Sequence, residues 1–172
     1  NVTLTGDITE TAGSDGILIN RNSGGIILFT GDVTQTLTNT DAVTITNNTG
    51  SDVNFGGSLI IATTGTGKGF TATGGGTLTA SNTNNKITTE TGRVVEITDM
   101  TISAAGVNFP EIDRTVAGAT DNAVLLQNNT GGPILLGTVG DEAGDSGTIE
   151  SGTTDAIVIQ NSANVTVSGL RI

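Results

Sequence analysis

The residues able to do chemistry in this chain are carboxylates, hydroxyls and six cationic side chains: Lys68, Lys86, Arg21, Arg93, Arg114 and Arg171. Histidine, cysteine and tyrosine do not occur. General acid–base work would fall to Asp, Glu or Lys, and nucleophilic work to Ser or Thr with no imidazole beside it. No catalytic and no cofactor-binding residue is assigned on this inventory. The densest gathering of carboxylates is Asp141, Glu142 and Asp145, set among glycines in Gly140–Gly147. Oxygen ligands in a glycine-rich loop suit a hard cation, so these three are the candidate calcium ligands. The run lacks the D-x-D-x-D-G order of an EF-hand and the nonapeptide of calcium-binding rolls, and a solvated loop is the competing reading.

Other chemistry-bearing patterns are weaker. Thr66-Gly67-Lys68-Gly69 fails as a phosphate loop, because Ala62 stands where the first glycine belongs and Gly69 replaces the Ser/Thr. Thr-x-Thr triplets at Thr34–Thr36, Thr44–Thr46, Thr71–Thr73 and elsewhere could form flat hydroxyl ranks, but they read as lying at different phases of the repeat. Asp15, Asp41 and Asp155 share one phase, with Lys68 and Arg93 between them. Asp residues there suit Asx turns and loose ion pairs, with calcium recruitment as the functional alternative.

The elements that must position these groups follow from a repeat. DGILINRN at Asp15 returns as DAVTITNN at Asp41, KGFTATGG at Lys68, RVVEITDM at Arg93, NAVLLQNN at Asn122 and DAIVIQNS at Asp155. The period is in the mid-twenties, with insertions late in the chain. Apolar residues alternate inside each unit: Ile17 and Ile19, Val43 and Ile45, Phe70 and Ala72, Val95 and Ile97, Val124 and Leu126, Ile157 and Ile159. Period two gives one inward face. A polar Asn/Gly turn and two further short strands complete each unit. Three strands per coil predict a right-handed parallel β-helix of about six coils with three short parallel sheets. Residues 1–172 form one such segment, read as part of a longer solenoid. Gly118–Asp121 and Gly140–Gly147 are expected to protrude. Stacked columns follow, including Asn22, Asn48 and Asn129, and beside them Asn47, Asn128 and Asn161, with Asp99 breaking the second. The narrow interior is expected to leave little space for aromatics.

The stretch GFTATGGGTLTASNTNNKITTETGRVVEITDMTISAAGVNF (Gly69–Phe109), together with Asn128–Ile172, resembles large bacterial secreted proteins of the right-handed β-helix, pectin-lyase-like superfamily. The resemblance covers nearly the whole chain and speaks for the fold. The superfamily holds lyases, hydrolases, adhesins and stalks, so it does not name a reaction. It implies an extracellular, secreted or cell-surface setting. The clustered Asp pairs beside a histidine of its hydrolases have no counterpart here.

Charge bounds the partners. Six Lys+Arg against 17 Asp+Glu leave a formal net charge of -11, a field that repels phosphate backbones and argues against nucleic acid. No apolar run is long enough to span a membrane as a helix. The expected role is a structural or adhesive rod, fibre or stalk without catalysis in this segment. Its expected partners are a continuation of the same chain or end-to-end copies, with a glycan or other cell-surface ligand. The alternatives are a non-catalytic part of a carbohydrate-active β-helix and an ice- or glycan-binding face.

Overall fold

The computed structural model describes residues 1–13, 15–150 and 152–172. Among them every regular element is a strand, and every strand pairing is parallel. The chain is a parallel β-solenoid with three sheets. The first holds Val2–Leu4, Gly25–Phe29, Ser51–Phe55, Thr77–Ala80, Thr101–Phe109, Ile134–Leu136 and Val165–Val167, with Thr130–Gly131 paired beside Thr101. The second holds Ile8–Gly13, Val33–Thr38, Leu59–Thr64, Lys86–Thr89 and Glu111–Arg114. The third holds Ile17–Asn20, Val43–Thr46, Phe70–Thr73, Val95–Thr98, Val124–Gln127 and Ile157–Gln160. The six strands of the third sheet bound five intervals, so the solenoid makes about five turns rather than six.

The third sheet follows the sequence repeat residue for residue. Val43 pairs with Ile17 below and Phe70 above, and Val95, Val124 and Ile157 continue the column. β-branched and aliphatic residues suit this pleated, half-buried surface. Val43, Ile45, Val95, Ile97, Val124 and Leu126 are fully buried. Ile17 and Ile157 are only partly buried and Ile159 is 44% exposed, because no further coil lies over the outermost strands described.

The interior does admit aromatics. All four Phe are buried in a continuous run of ring contacts: Phe29 and Phe55 stack at 4.6 Å, Phe55 meets Phe70 edge-on at 6.0 Å, and Phe70 tilts against Phe109 at 5.2 Å. Local volume exchange makes room. Where the two flanking coils of the third sheet place Val43 then Ile45 and Val95 then Ile97, this one places Phe70 then Ala72, a large–small swap that keeps the packing dense.

Insertions spare the third sheet and fall elsewhere. Thr101–Phe109 bulges between its pairings, with Ile102 opposite Leu78 and Val107 opposite Ala80. At Thr115–Asp121 the chain loops outside any strand. In the last coil, the run from Thr138 leads into the place of a sixth strand of the second sheet, where Ile112 N–H and Arg114 N–H donate to Ser146 O and Thr148 O and Arg114 bridges Ile149.

Candidate functional site

The corner after the second sheet carries the charged column. Counting two residues back from the paired Ile17, Val43, Phe70, Val95, Val124 and Ile157 gives Asp15, Asp41, Lys68, Arg93, Asn122 and Asp155. Like charges stacked about 4.8 Å apart repel, and Lys68 and Arg93 interrupt the acidic series. Asp41 Oδ1 accepts the Lys68 backbone N–H at 2.9 Å, so this carboxylate stitches two coils. Glu96 takes Arg93 Nη1 at 2.6 Å and Lys68 Nζ at 3.3 Å, and Arg93 Nη2 lies 3.8 Å from Asp121. Lys86 pairs with Glu111 on the second sheet. Arg93 and Glu96 are largely covered and make the firmer pair, while Lys86 and Glu111 are well solvated and contribute little.

Arg114 is the group that sequence reasoning missed. Its side chain is fully buried. The alternation Glu111-Ile112-Asp113-Arg114 was the available signal, since Arg114 shares the parity of the inward Ile112. It stacks on Thr89, which stacks on Thr63. Each member of this inward column ties down the turn that follows. Thr63 Oγ1 donates to Gly67 O at 2.7 Å and Thr89 Oγ1 to Gly92 O at 2.8 Å. The turn after Arg114 is longer, and the longer side chain reaches across it: Nη1 donates to Asp121 O at 2.9 Å and Nε to Glu150 O at 2.8 Å. Nη2 has no partner. Burial lowers the Arg114 pKa and the Asp121 carboxylate, 3.9 Å from Nη1, raises it. The loop so held lines a cavity of about 350 Å³ with Thr66, Thr91, Gly92 and Asp121.

The corner after the third sheet is built from left-handed residues. Arg21, Asn47, Gly74, Asp99, Asn128 and Asn161 follow the paired Asn20, Thr46, Thr73, Thr98, Gln127 and Gln160, and all six have positive φ. Asn and Gly tolerate this region best. Asp99 continues the column instead of breaking it: φ is 58°, and its Oδ1 accepts Asn128 Nδ2 at 3.0 Å. Asn161 Nδ2 donates in turn to Asn128 Oδ1 at 3.2 Å. One residue on, Asn48 and Asn129 are buried and saturate backbone groups. Asn48 Nδ2 donates to Ile19 O and Thr46 O, and Asn129 Nδ2 donates to Ile97 O.

At the corner before the second sheet, Asp7 Oδ1 accepts the Asp32 N–H at 3.0 Å and Asp32 Oδ1 accepts the Ser58 N–H at 2.7 Å. Hydrogen bonds from the Ser58 backbone, then from its side chain, hold the Asp32 carboxyl below the usual range. The candidate calcium residues sit just beyond this corner. Asp141, Glu142 and Asp145 are exposed, and Asp141 Oδ2 accepts the buried Ser146 hydroxyl at 2.8 Å. Among the described residues no three Asp or Glu side chains come together as a metal-holding group.

The threonine triplets stand closer in phase than the sequence suggested. Thr44 and Thr46 stack directly under Thr71 and Thr73, and Thr9 and Thr11 under Thr34 and Thr36. The Thr44–Thr71 column ends at Glu96 in the next coil, while Thr98 extends the Thr46–Thr73 column. Chemically, the corner carboxylates and amides of Asp7, Asp32, Asp41, Asn48 and Asn129 are spent on backbone N–H and C=O groups of a neighbouring coil. No known protein family, curated protein or solved structure matches the chain.

Proposed function

We propose that this chain is a structural or adhesive module displayed outside the cell: a rod or stalk without catalysis in this segment, in the manner of the right-handed β-helix proteins its residues resemble. The observation that supports this reading is where the polar side chains are spent. Asp7, Asp32, Asp41, Asn48, Asp113 and Asn129 each accept a backbone N–H from a neighbouring coil. Such a sequence is used for cohesion along the axis. Antibody labelling of intact cells that make the protein tests the setting, and incubation of the chain with a panel of polysaccharides tests the chemistry. Surface labelling without new reducing ends or unsaturated products is expected. Antigen confined to the cell interior, or product release abolished by a carboxylate substitution, would overturn the reading.

One observation favours a second reading, a hydroxyl-presenting face for ice or glycan. Thr44, Thr46 and Thr73 stand half-buried on the outside of the third sheet around the buried Thr71, with the coils about 4.8 Å apart. Thermal hysteresis or glycan-array binding that disappears in Thr46→Val plus Thr73→Val would support it, and neither activity in the parent would end it.

A further inference from the structure

We propose that the loop of residues 115–121, with the two preceding turns of the same corner, binds a neutral polyhydroxylated ligand the size of one sugar residue. The cavity there measures about 350 Å³, within the range of small-molecule sites, and is lined by Thr66, Thr91, Gly92, Ala117, Thr120 and Asp121. Its wall chemistry selects the ligand. Asp121 is the one charged residue on the wall, and an ionised carboxylate only accepts. Arg93 Nη2 and Arg114 Nη1 stand 3.8 and 3.9 Å from its two oxygens. That is beyond hydrogen-bond reach, so they offset its charge and leave its lone pairs unspent. Glu90, beside Thr91, already spends a carboxylate oxygen on the Gly65 N–H.

The loop supplies the opposite half. The N–H groups of Ala117, Gly118, Ala119, Thr120 and Asp121 donate to no protein group among the described residues, although Ala119 is buried. Unpaired donors in a covered loop take water or a ligand oxygen. A hydroxyl both donates and accepts, so a polyol satisfies the carboxylate and the N–H groups together. A cation meets a carboxylate already offset, and an anion meets Asp121 itself. An apolar ligand finds only the methyls of alanines and threonines. The site is also held in shape. Arg114 Nη1 donates to Asp121 O at 2.9 Å, the Thr153 N–H to Ala119 O at 3.1 Å and the Val116 N–H to Glu90 O at 3.1 Å. A braced loop loses little freedom on binding, so its contacts translate into affinity. This inference rests on the adhesive reading and names what the module takes hold of; the labelling test above is separate, so either can fail alone.

The probes are the methyl glycosides of glucose, galactose and mannose, titrated into the nitrogen-15-labelled full chain and followed by amide shifts. Saturable shifts centred on residues 117–121 are expected with at least one of them, at a Kd of about 1–10 mM. Thr120→Val, at an exposed hydroxyl, should weaken binding about threefold, and Asp121→Asn about fivefold or more. Thr46→Val plus Thr73→Val should leave it unchanged, which separates this site from the third-sheet face. Glucuronate and glucosamine should bind more weakly than the neutral glycosides. Dextran that shifts the same amides assigns the site to polysaccharide ends, and response to the free glycosides alone assigns it to a free sugar. Three results would overturn the proposal: no saturable shift up to about 100 mM of any neutral glycoside, tighter binding of either charged sugar, or parent affinity in both Thr120→Val and Asp121→Asn.

Discussion

Asn48→Asp puts the inter-coil amide bonds to a test of sign as well as size. Asn48 is fully buried. Its Nδ2 donates to Ile19 O at 2.9 Å and Thr46 O at 3.0 Å, while its Oδ1 accepts Asn22 N at 3.0 Å and Asn22 Nδ2 at 2.8 Å. An ionised aspartate keeps the shape and the acceptor oxygen but aims a second oxygen at two carbonyls. Two donated bonds vanish, at about 0.5–1.5 kcal/mol each, and two carbonyls are left facing a buried charge, which costs more. A loss of about 3–5 kcal/mol is expected at neutral pH, a large part of a typical domain's stability. Those same carbonyls favour the protonated acid, so the folded pKa lies above the unfolded one. The folded form then holds the proton more tightly, and the deficit shrinks as pH falls through the folded value. Protonation restores one donor, so a deficit of about 1–2 kcal/mol should remain in acid. Urea unfolding of mutant and parent, compared at each pH, measures it. Equal deficits at neutral and acidic pH, or none at either, would show that the Asn48 amide does not hold the coils as described.

Ile45→Asp should prevent folding, since Ile45 is fully buried and an unpaired carboxylate there costs several kcal/mol, whereas Ile159→Asp, at a position 44% exposed, should leave a folded chain; circular dichroism of the two separates them. Gly57→Ala should destabilise by about 1–3 kcal/mol, because a Cβ there would lie 2.1 Å from Gly31 O, while Gly24→Ala, with its nearest neighbour at 4.0 Å, should be near neutral in the same thermal melt. The Asp32 carboxyl is held below its ordinary value, so its contribution is present above about pH 4 and is lost as pH falls through the lower folded value; a carboxyl NMR titration placing Asp32 at or above about 4 would contradict this. Calcium at Asp141, Glu142 and Asp145 would have to compete with the Ser146 bond, so calorimetric titration should show affinity no tighter than about 10⁻⁴ M, and micromolar uptake would restore a dedicated site.

Alternation and repeat period carried the reading of the third sheet, because stacking forces equivalent residues into columns. Asp15, Asp41, Lys68, Arg93, Asn122 and Asp155 could be aligned by eye and do align in space. Asp99 misled because it was judged by residue type, whereas the column selects a left-handed backbone that an aspartate can also adopt. Arg114 was passed over, because a charged residue type carries no inward signal; its parity with Ile112 and the long turn after it place it inside. Phe29, Phe55, Phe70 and Phe109 pack together across coils, and that depends on which neighbours are small, a property of pairs of strands rather than of one.

The bonds that join the coils have one further consequence. The side-chain bonds between coils link residues 23 to 36 positions apart, which is one turn of the solenoid and its insertions. Among the described residues no strand pairs beyond its immediate neighbours above and below. Folding in such an array can begin at any coil and spread by nearest-neighbour addition, each finished coil serving as template for the next. Damage travels by the same rule. A lesion that opens the end coil at Ile17 would strip the coil at Val43 of a partner, yet the strands around Leu126 would still have theirs. The molecule's cooperativity is thus a chain of local agreements, and its length can change by whole coils without renegotiating the rest.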